Sequence, residues 1–340
     1  MISPKNPDKS KMKEELKQKI RDTLKKQSYG LIGNHCAVKI CNWNKNSLIG
    51  RGECYKFKFY GIQSWRCCQM SPWIDCDNKC IHCWRPMELD MSELINKNKL
   101  MNPREIIESC IKGQRKLLTG FGGHDKVDRK RFKEAQEPRH FAISLIGEPT
   151  IYPKIGELVA EVRKGGRTSF IVTNGLHPDI LKKLEKKNQL PTQLYLSLNS
   201  SNEKEYNKWH NSIHKDAWKK YNQTLDFMKK LTEKGKRTVL RMTMIRGMNM
   251  SDKHIAEFAE IIKKSGAMFV EVKSFMSLGP SREKLPYEVM PHIEEIEAFS
   301  KKLAKASGYI VLDKHVPSRI VLLGKNLDAK KRMKIKPEEI

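Results

Sequence analysis

Six short apolar or β-branched runs, separated by stretches of helical periodicity, constrain the fold of this chain more than any other feature. The runs lie near Trp65–Met70, Phe141–Ile146, Ser169–Thr173, Leu194–Leu198, Val239–Ile245 and Phe269–Val272. Between them, apolar residues follow the helical repeat over Pro103–Leu118, Lys154–Lys164, Pro178–Lys186, Ala217–Glu233 and Asp252–Lys264. Such alternation predicts an α/β protein with a parallel sheet and right-handed crossovers. Six units predict a partial (β/α)6 TIM-like barrel, not a closed eight-stranded one. N-terminal and C-terminal additions are expected. Residues 1–34 open with a polar Pro/Lys segment and continue as a basic amphipathic helix over Lys11–Gln27, in which Met12, Leu16, Ile20 and Leu24 recur every four residues. That helix docks on the barrel exterior, contacts RNA, or does both. After a core over 35–290, residues 291–340 read as a helix (Pro291–Ser307), two strands (Tyr309–Asp313 and Arg319–Leu323) and a basic tail.

Five of the nine cysteines fall in the run CCQMSPWIDCDNKCIHCWRP, from Cys67 to Pro86. Cys76, Cys80 and Cys83 are spaced C-x3-C-x2-C, which puts three thiolates on one tight loop without a fourth ligand nearby. A structural zinc takes four protein ligands, whereas a cubane iron–sulfur cluster on three thiolates keeps one iron open to a non-protein ligand. The set therefore reads either as such a cluster or as part of a zinc site completed by His82, His35 or a distant cysteine. A disulfide framework is not expected in a long Lys-rich chain whose start does not resemble a signal peptide. A reduced, cytoplasmic setting follows.

A second set, Cys41, Cys54 and Cys67, is spaced C-x12-C-x12-C among Trp43, Tyr55, Phe57, Phe59 and Tyr60. Free cysteine is a common core residue, yet beside the first set this one again offers three thiolates. Lys56 and Lys58 follow Cys54 in YKFKFYG. Read as a strand, the segment places both on the face of Cys54. An amine desolvated among aromatics can form a Schiff base with a keto acid; the plainer reading is a lysine that salt-bridges or faces phosphate. Cys36, Cys68 and Cys110 read as structural.

Ligands of a parallel α/β sheet sit at the carboxyl ends of its strands. Gly147, Glu148 and Pro149 close the second strand, Thr173, Asn174 and Gly175 the third, and Ser197 and Asn199 the fourth. Arg241 and Met244 on the fifth, with Glu271 and Lys273 on the sixth, complete the expected rim. Arg241 either holds a carboxylate bidentately or pairs with Glu271. The Gly120–His140 insert is expected beside the site as a lid or RNA grip. Lys+Arg total 66 against 39 Asp+Glu, a net charge of +27. This charge calls for a polyanionic partner. No apolar run approaches the ~18 residues of a spanning helix, so nucleic acid is favoured over membrane. Further basic runs lie at Lys325–Lys336 and Lys204–Lys220, the latter carrying Trp209, His210 and Trp218.

Cys76, Cys80 and Cys83, with Trp84-Arg85-Pro86 after them, resemble the cluster loop of radical S-adenosylmethionine (SAM) enzymes. The fuller run CCQMSPWIDCDNKCIHCWRPME, with CYKFKFYGI before it and SLIGEPTIYP after it, resembles the 4-demethylwyosine synthase family of the tRNA wyosine pathway over most of residues 35–325. The resemblance implies a radical SAM barrel with a [4Fe-4S] cluster on Cys76, Cys80 and Cys83 whose open iron binds SAM. It implies SAM contacts from Gly147-Glu148-Pro149 to the amino group, and from Thr173, Asn174, Ser197 and Asn199 to carboxylate or ribose. A second [4Fe-4S] cluster on Cys41, Cys54 and Cys67, proposed to bind pyruvate, and an imine-forming lysine, Lys56 in preference to Lys58, are implied too. In the implied reaction, a 5′-deoxyadenosyl radical takes hydrogen from the methyl of N1-methylguanosine, 3′ of the anticodon of phenylalanine tRNA. The carbon radical adds to pyruvate, whose carboxyl is lost as the tricyclic base closes. Because residues 1–34 leave no room for the flavodoxin-like domain of eukaryotic members, the chain resembles the archaeal form and is expected to need an external electron donor. Two other readings stay open. One is another radical SAM reaction on RNA, such as methylation or methylthiolation; the other is a zinc-binding RNA-binding module, against which the barrel pattern argues.

Overall fold

The computed structural model describes residues 9–86 and 89–340; the polar opening of the chain and the Met87–Glu88 pair that ends the cysteine-loop motif fall outside them. The N-terminal part comprises α1 (Lys9–Lys26), β1 (Gly30–Ile32), β2 (Cys36–Lys39), α2 (Asn42–Leu48) and α3 (Tyr55–Tyr60). The alternating part runs β3 (Cys67–Ser71), α4 (Pro103–Leu118), α5 (Arg129–Ala135), β4 (His140–Ile143), α6 (Ile155–Lys164), β5 (Thr168–Thr173) and α7 (Pro178–Lys186). It continues with β6 (Gln193–Ser197), α8 (Glu203–His210), α9 (Ala217–Glu233), β7 (Thr238–Met244), α10 (Asp252–Ser265) and β8 (Phe269–Ser274). The chain closes with α11 (Ser281–Lys284), α12 (Ile293–Ser307), β9 (Ile310–His315), β10 (Ile320–Gly324) and α13 (Leu327–Lys331).

All ten strands share one sheet, in the order β1-β2-β3-β4-β5-β6-β7-β8-β10-β9. Neighbours from β3 to β8 are parallel, while β2 pairs antiparallel with β3 and β10 with β8. The partial (β/α)6 barrel expected from the alternation is therefore the observed core, extended by an antiparallel pair on each edge. Side chains alternate across a strand, and two separate apolar cores follow from that parity. Cys68, Met70, Ile171, Leu194, Leu196, Leu240, Met242, Met244, Val270 and Val272 belong to the larger core, with the helices. Phe170, Val172, Tyr195, Val239 and Phe269 face the other way and pack with Tyr55, Phe59, Tyr60 and Ile62. Thus α3 and its flanks fill the barrel interior.

The structure corrects three expectations. Met244 points outward into the helix-facing core, away from the rim. The segment YKFKFY is a helix and not a strand: Cys54 occupies its N-cap position, and Gly61 ends it in the left-handed region at φ 78°, where a side chain would be strained. The Gly120–His140 insert is placed differently as well. It follows a helix and precedes a strand, so it lies at the amino ends of the strands, where α5 docks near α2: Arg131 bonds Glu53 and the Ser47 carbonyl, and Trp65 Nε1 donates to Glu134. In α1, Ile20 and Leu24 are fully buried, whereas Met12 and Leu16 stay exposed.

Candidate active site

The loop that leaves β3 carries Cys76, Cys80 and Cys83 and is held against the carboxyl-end rim by its main chain. Gly147, at φ 70°, lies so close that a Cβ there would fall 2.3 Å from the Trp73 carbonyl oxygen and 2.5 Å from that of Asp75. Glu148 N donates to the same Asp75 oxygen at 2.8 Å. Further along, Lys79 N donates to the His210 carbonyl and Ile81 N to that of Trp209, each at 2.9 Å. Gly279 (φ 55°) then meets the Trp84 carbonyl, 2.4 Å from where a Cβ would sit.

The polar strand ends expected to meet SAM first brace this rim. The Glu148 carboxylate is buried. Its Oε1 accepts from Thr150 N (3.0 Å), Thr150 Oγ1 (2.6 Å) and Thr173 Oγ1 (2.7 Å), and its Oε2 from Asn174 N (2.8 Å). Burial, followed by the neighbouring Asp77 charge, raises its pKa. With one donor on Oε2, that oxygen keeps capacity for another. Pro149 starts a short 3-10 turn after it. Asn174 Nδ2 donates to Asp77 Oδ1 at 2.5 Å, while Asn199 bonds His82 Nε2 at 3.1 Å and accepts from Thr243 N at 3.0 Å. Ser197 faces the interior as the register partner of Arg241.

Inside the barrel, Cys41, Cys54 and Cys67 converge from three elements. Cys41 N-caps α2 and accepts from Asn44 N, Cys54 precedes α3, and Cys67 opens β3. Each lies within electrostatic reach of another: Cys54 feels Cys41, and Cys67 feels both. Burial pushes all three thiols up, Cys54 to about 12. Three partly buried thiols that are costly to ionise alone suit a metal that displaces their protons. Cys68 has the opposite parity and sits in the helix-facing core with Cys36 and Cys110, as structural cysteines should.

Lys56 is 8% exposed, and its amine lies 5.0 Å from the Phe170 ring centroid and 4.9 Å from that of Tyr195. Burial lowers its pKa, partly offset by Glu271. Lys58 projects from the other side of α3 to Asp313 Oδ1 and the Lys314 carbonyl, both at 2.7 Å. The interior ends on a polar relay that contains the expected Arg241–Glu271 pair and adds Tyr55 and Tyr60, which residue spacing did not disclose. Arg241 Nη1 donates to Tyr55 OH (2.8 Å), Tyr55 OH to Glu271 Oε2 (3.0 Å), and Tyr60 OH to Glu271 Oε1 (2.8 Å). Arg241 also lies 3.8 Å from Glu271 Oε2. It therefore groups with Lys56 and the second cysteine set and is not a rim residue. Lys273 donates to the Ser318 carbonyl, and burial with the Arg241 charge pushes its amine down to about 7.

His35 cannot complete a zinc site, because its nitrogens engage the Pro72 carbonyl (2.7 Å) and Met101 N (3.0 Å). His82 lies beside Cys80 and His210, their donor atoms within 4.8 Å, but Asn199 holds its Nε2. None of the nine cysteines is in a disulfide. Two sets of three, each on a distinct part of one barrel, fit cluster ligation better than tetrahedral zinc.

The chain matches the radical SAM superfamily over residues 70–259 and the wyosine base formation family over residues 264–325. It is 42% identical over 308 residues to the S-adenosyl-L-methionine-dependent tRNA 4-demethylwyosine synthase of Pyrococcus abyssi, a match covering 90% of this chain and 88% of that protein. The solved structure of TYW1 with a lysine-pyruvate adduct bound aligns with a TM-score of 0.80 at 36% identity, covering 94% of this chain and 98% of the other. That of archaeal TYW1 aligns at 0.73 and 33%, with the same coverage. Family and fold agree with the barrel, the cysteine loop and its rim, and the chain belongs to the tRNA 4-demethylwyosine synthase family of radical SAM enzymes.

Proposed function

We propose that this chain condenses N1-methylguanosine, 3′ of the anticodon of phenylalanine tRNA, with pyruvate to form the tricyclic base 4-demethylwyosine. The observation that carries the reading is the buried Lys56 amine, placed between aromatic walls and close to the second cysteine set, inside a barrel whose rim bears the Cys76, Cys80 and Cys83 loop. Bound on that loop, a [4Fe-4S] cluster supplies the electron for reductive SAM cleavage. Cys41, Cys54 and Cys67 would hold a second cluster beside the keto acid. Gly147, Glu148, Pro149, Thr173, Asn174, Ser197 and Asn199 frame the SAM pocket, with Glu148 Oε2 as acceptor for the SAM ammonium.

Lys56 attacks the keto carbon of pyruvate and expels water to form an imine, while Phe170, Tyr195 and Tyr55 keep solvent out. Arg241, anchored on one side by Tyr55, presents its remaining guanidinium donors to the carboxylate. Trp84, 45% exposed with the Arg85 guanidinium 3.8 Å from its ring centroid, is the aromatic that would stack on the unstacked base; Trp209 is buried. Electrons come from an external donor in the cytoplasm. Among the described residues no helix is long and apolar enough to cross a membrane.

The test uses the anaerobically reconstituted enzyme with SAM, reductant, N1-methylguanosine-bearing tRNA and pyruvate labelled at C2 or C3, the carbons kept when the carboxyl group is lost. Label in a tricyclic nucleoside is expected. Methylation or methylthiolation of the tRNA without label would overturn the reading. Iron should stand at about eight per chain and fall to about four in the Cys41/Cys54/Cys67 triple alanine variant; about four in both would remove the second cluster.

A further inference from the structure

On the cluster loop, one carboxylate oxygen is met by two imidazoles from distant parts of the sequence. His177 Nε2 and His214 Nε2 each lie 2.9 Å from the same oxygen, Asp77 Oδ2. The three donors lie within 4.8 Å of one another. Asp77 belongs to the cysteine loop, His177 to the turn between β5 and α7, and His214 to the connection between α8 and α9. The Asp77 side chain is 3% exposed, whereas the imidazoles are 23% and 26% exposed. This combines an enclosed carboxylate with an open approach for an ion. The outer shell is in place as well: Asn174 Nδ2 donates to the other carboxylate oxygen, Oδ1, as ligating carboxylates require.

We infer that Asp77, His177 and His214 form a binding site for a divalent first-row transition-metal ion, separate from the iron–sulfur ligands. Two imidazoles and one carboxylate are a recurrent donor set for such ions, with open positions left for water. An ion about 2.0–2.1 Å from each donor sees Oδ2 and either Nε2 at close to a right angle, given their 2.9 Å separations. Without metal, hydrogen bonds from both imidazoles to Oδ2 hold the donors together. Lys220 Nζ, 3.1 Å from His214 Nδ1, favours that arrangement. Metal binding requires the Lys220 amine to turn away, and Asp216, 3.2 Å from it, is the alternative partner. The bound ion would staple the cysteine loop to two rim connections, and the site does not depend on the pyruvate reading.

The experiment incubates the reconstituted holoenzyme with Zn2+, desalts it, and measures zinc and iron together for wild type, His177→Phe and His214→Phe. About one zinc per wild-type chain with iron unchanged, and at least tenfold weaker retention in either variant at equal iron, is the expected result. Equal iron and unchanged circular dichroism exclude misfolding as the cause, and the more exposed His214 provides a second readout if His177→Phe fails to fold. No zinc retained by wild type would overturn the proposal and leave the three groups as a hydrogen-bonded latch. Zinc retained equally by both variants would overturn it also, and would place the ion on cysteines.

Discussion

Helical backbone over Tyr55–Tyr60 separates Lys56 from Lys58 by about 200° around the axis, so only one of them can serve the barrel interior. Lys56 faces Phe170 and Tyr195, while Lys58 spends its charge on Asp313. Borohydride trapping of pyruvate on the holoenzyme should therefore label wild type and Lys58→Met but not Lys56→Met, with the label on the peptide containing Lys56. A label on Lys58 would refute the assignment. Removing the half-exposed Lys58–Asp313 pair should cost no more than about 1 kcal/mol of stability. His140 gives a residue-scale pH prediction. Burial, with Arg66 and Arg139 nearby, pushes its pKa down to about 3, so between there and the unfolded value near 6.5 the unfolded chain binds the extra proton. Its contribution is present above about pH 6.5 and is lost as pH falls through that window, by about 1.4 kcal/mol per unit. Denaturant titrations at pH 7.5 and 5.5 should show a smaller acid loss for His140→Gln than for wild type; equal losses would reject it.

At the level of elements, legibility followed the length and isolation of the pattern. The α4 bounds were readable because Pro103 sits at N1 and Asn102 and Glu105 form a capping box. The α3 helix was misread because Tyr55, Phe57 and Phe59 alternate with lysines at strand period. Its six residues pack on two sides, against the barrel interior and, through Phe57, near Trp65. The overlooked signal was Gly61, whose positive φ ends the helix. Because α3 both fills the barrel and aims Lys56, its packing should govern stability and chemistry together. Phe59 is fully buried, and Phe59→Ala should cost about 3–5 kcal/mol and weaken pyruvate trapping at Lys56. Trapping at the wild-type level in a destabilised Phe59→Ala protein would show that the lysine is positioned without this support.

Across the whole molecule, alternation along the chain was enough to read the six parallel strands, because each βα unit is local and its handedness is fixed. Contacts between distant segments were not readable. The β1–β2 edge, the Glu271 relay and the convergence of Asp77, His177 and His214 all join positions that no local pattern relates. The cysteine sets stood between these cases: their spacing named the chemistry and set Cys67 apart from Cys68, and strand parity supplies the physical reason, with Cys68 in the outer core and Cys67 on the opposite face. Net charge is the other global property. At +27, it favours a polyanion without choosing a surface, and counterion release makes that preference measurable. If the complex neutralises ~6 phosphates, affinity for phenylalanine tRNA should fall by about 10³ between 50 and 200 mM salt. Filter binding over that range measures the slope directly. A steep slope with turnover falling in parallel ties the basic surface to the substrate, whereas affinity independent of salt would mean that the excess lysines and arginines do not meet tRNA phosphate.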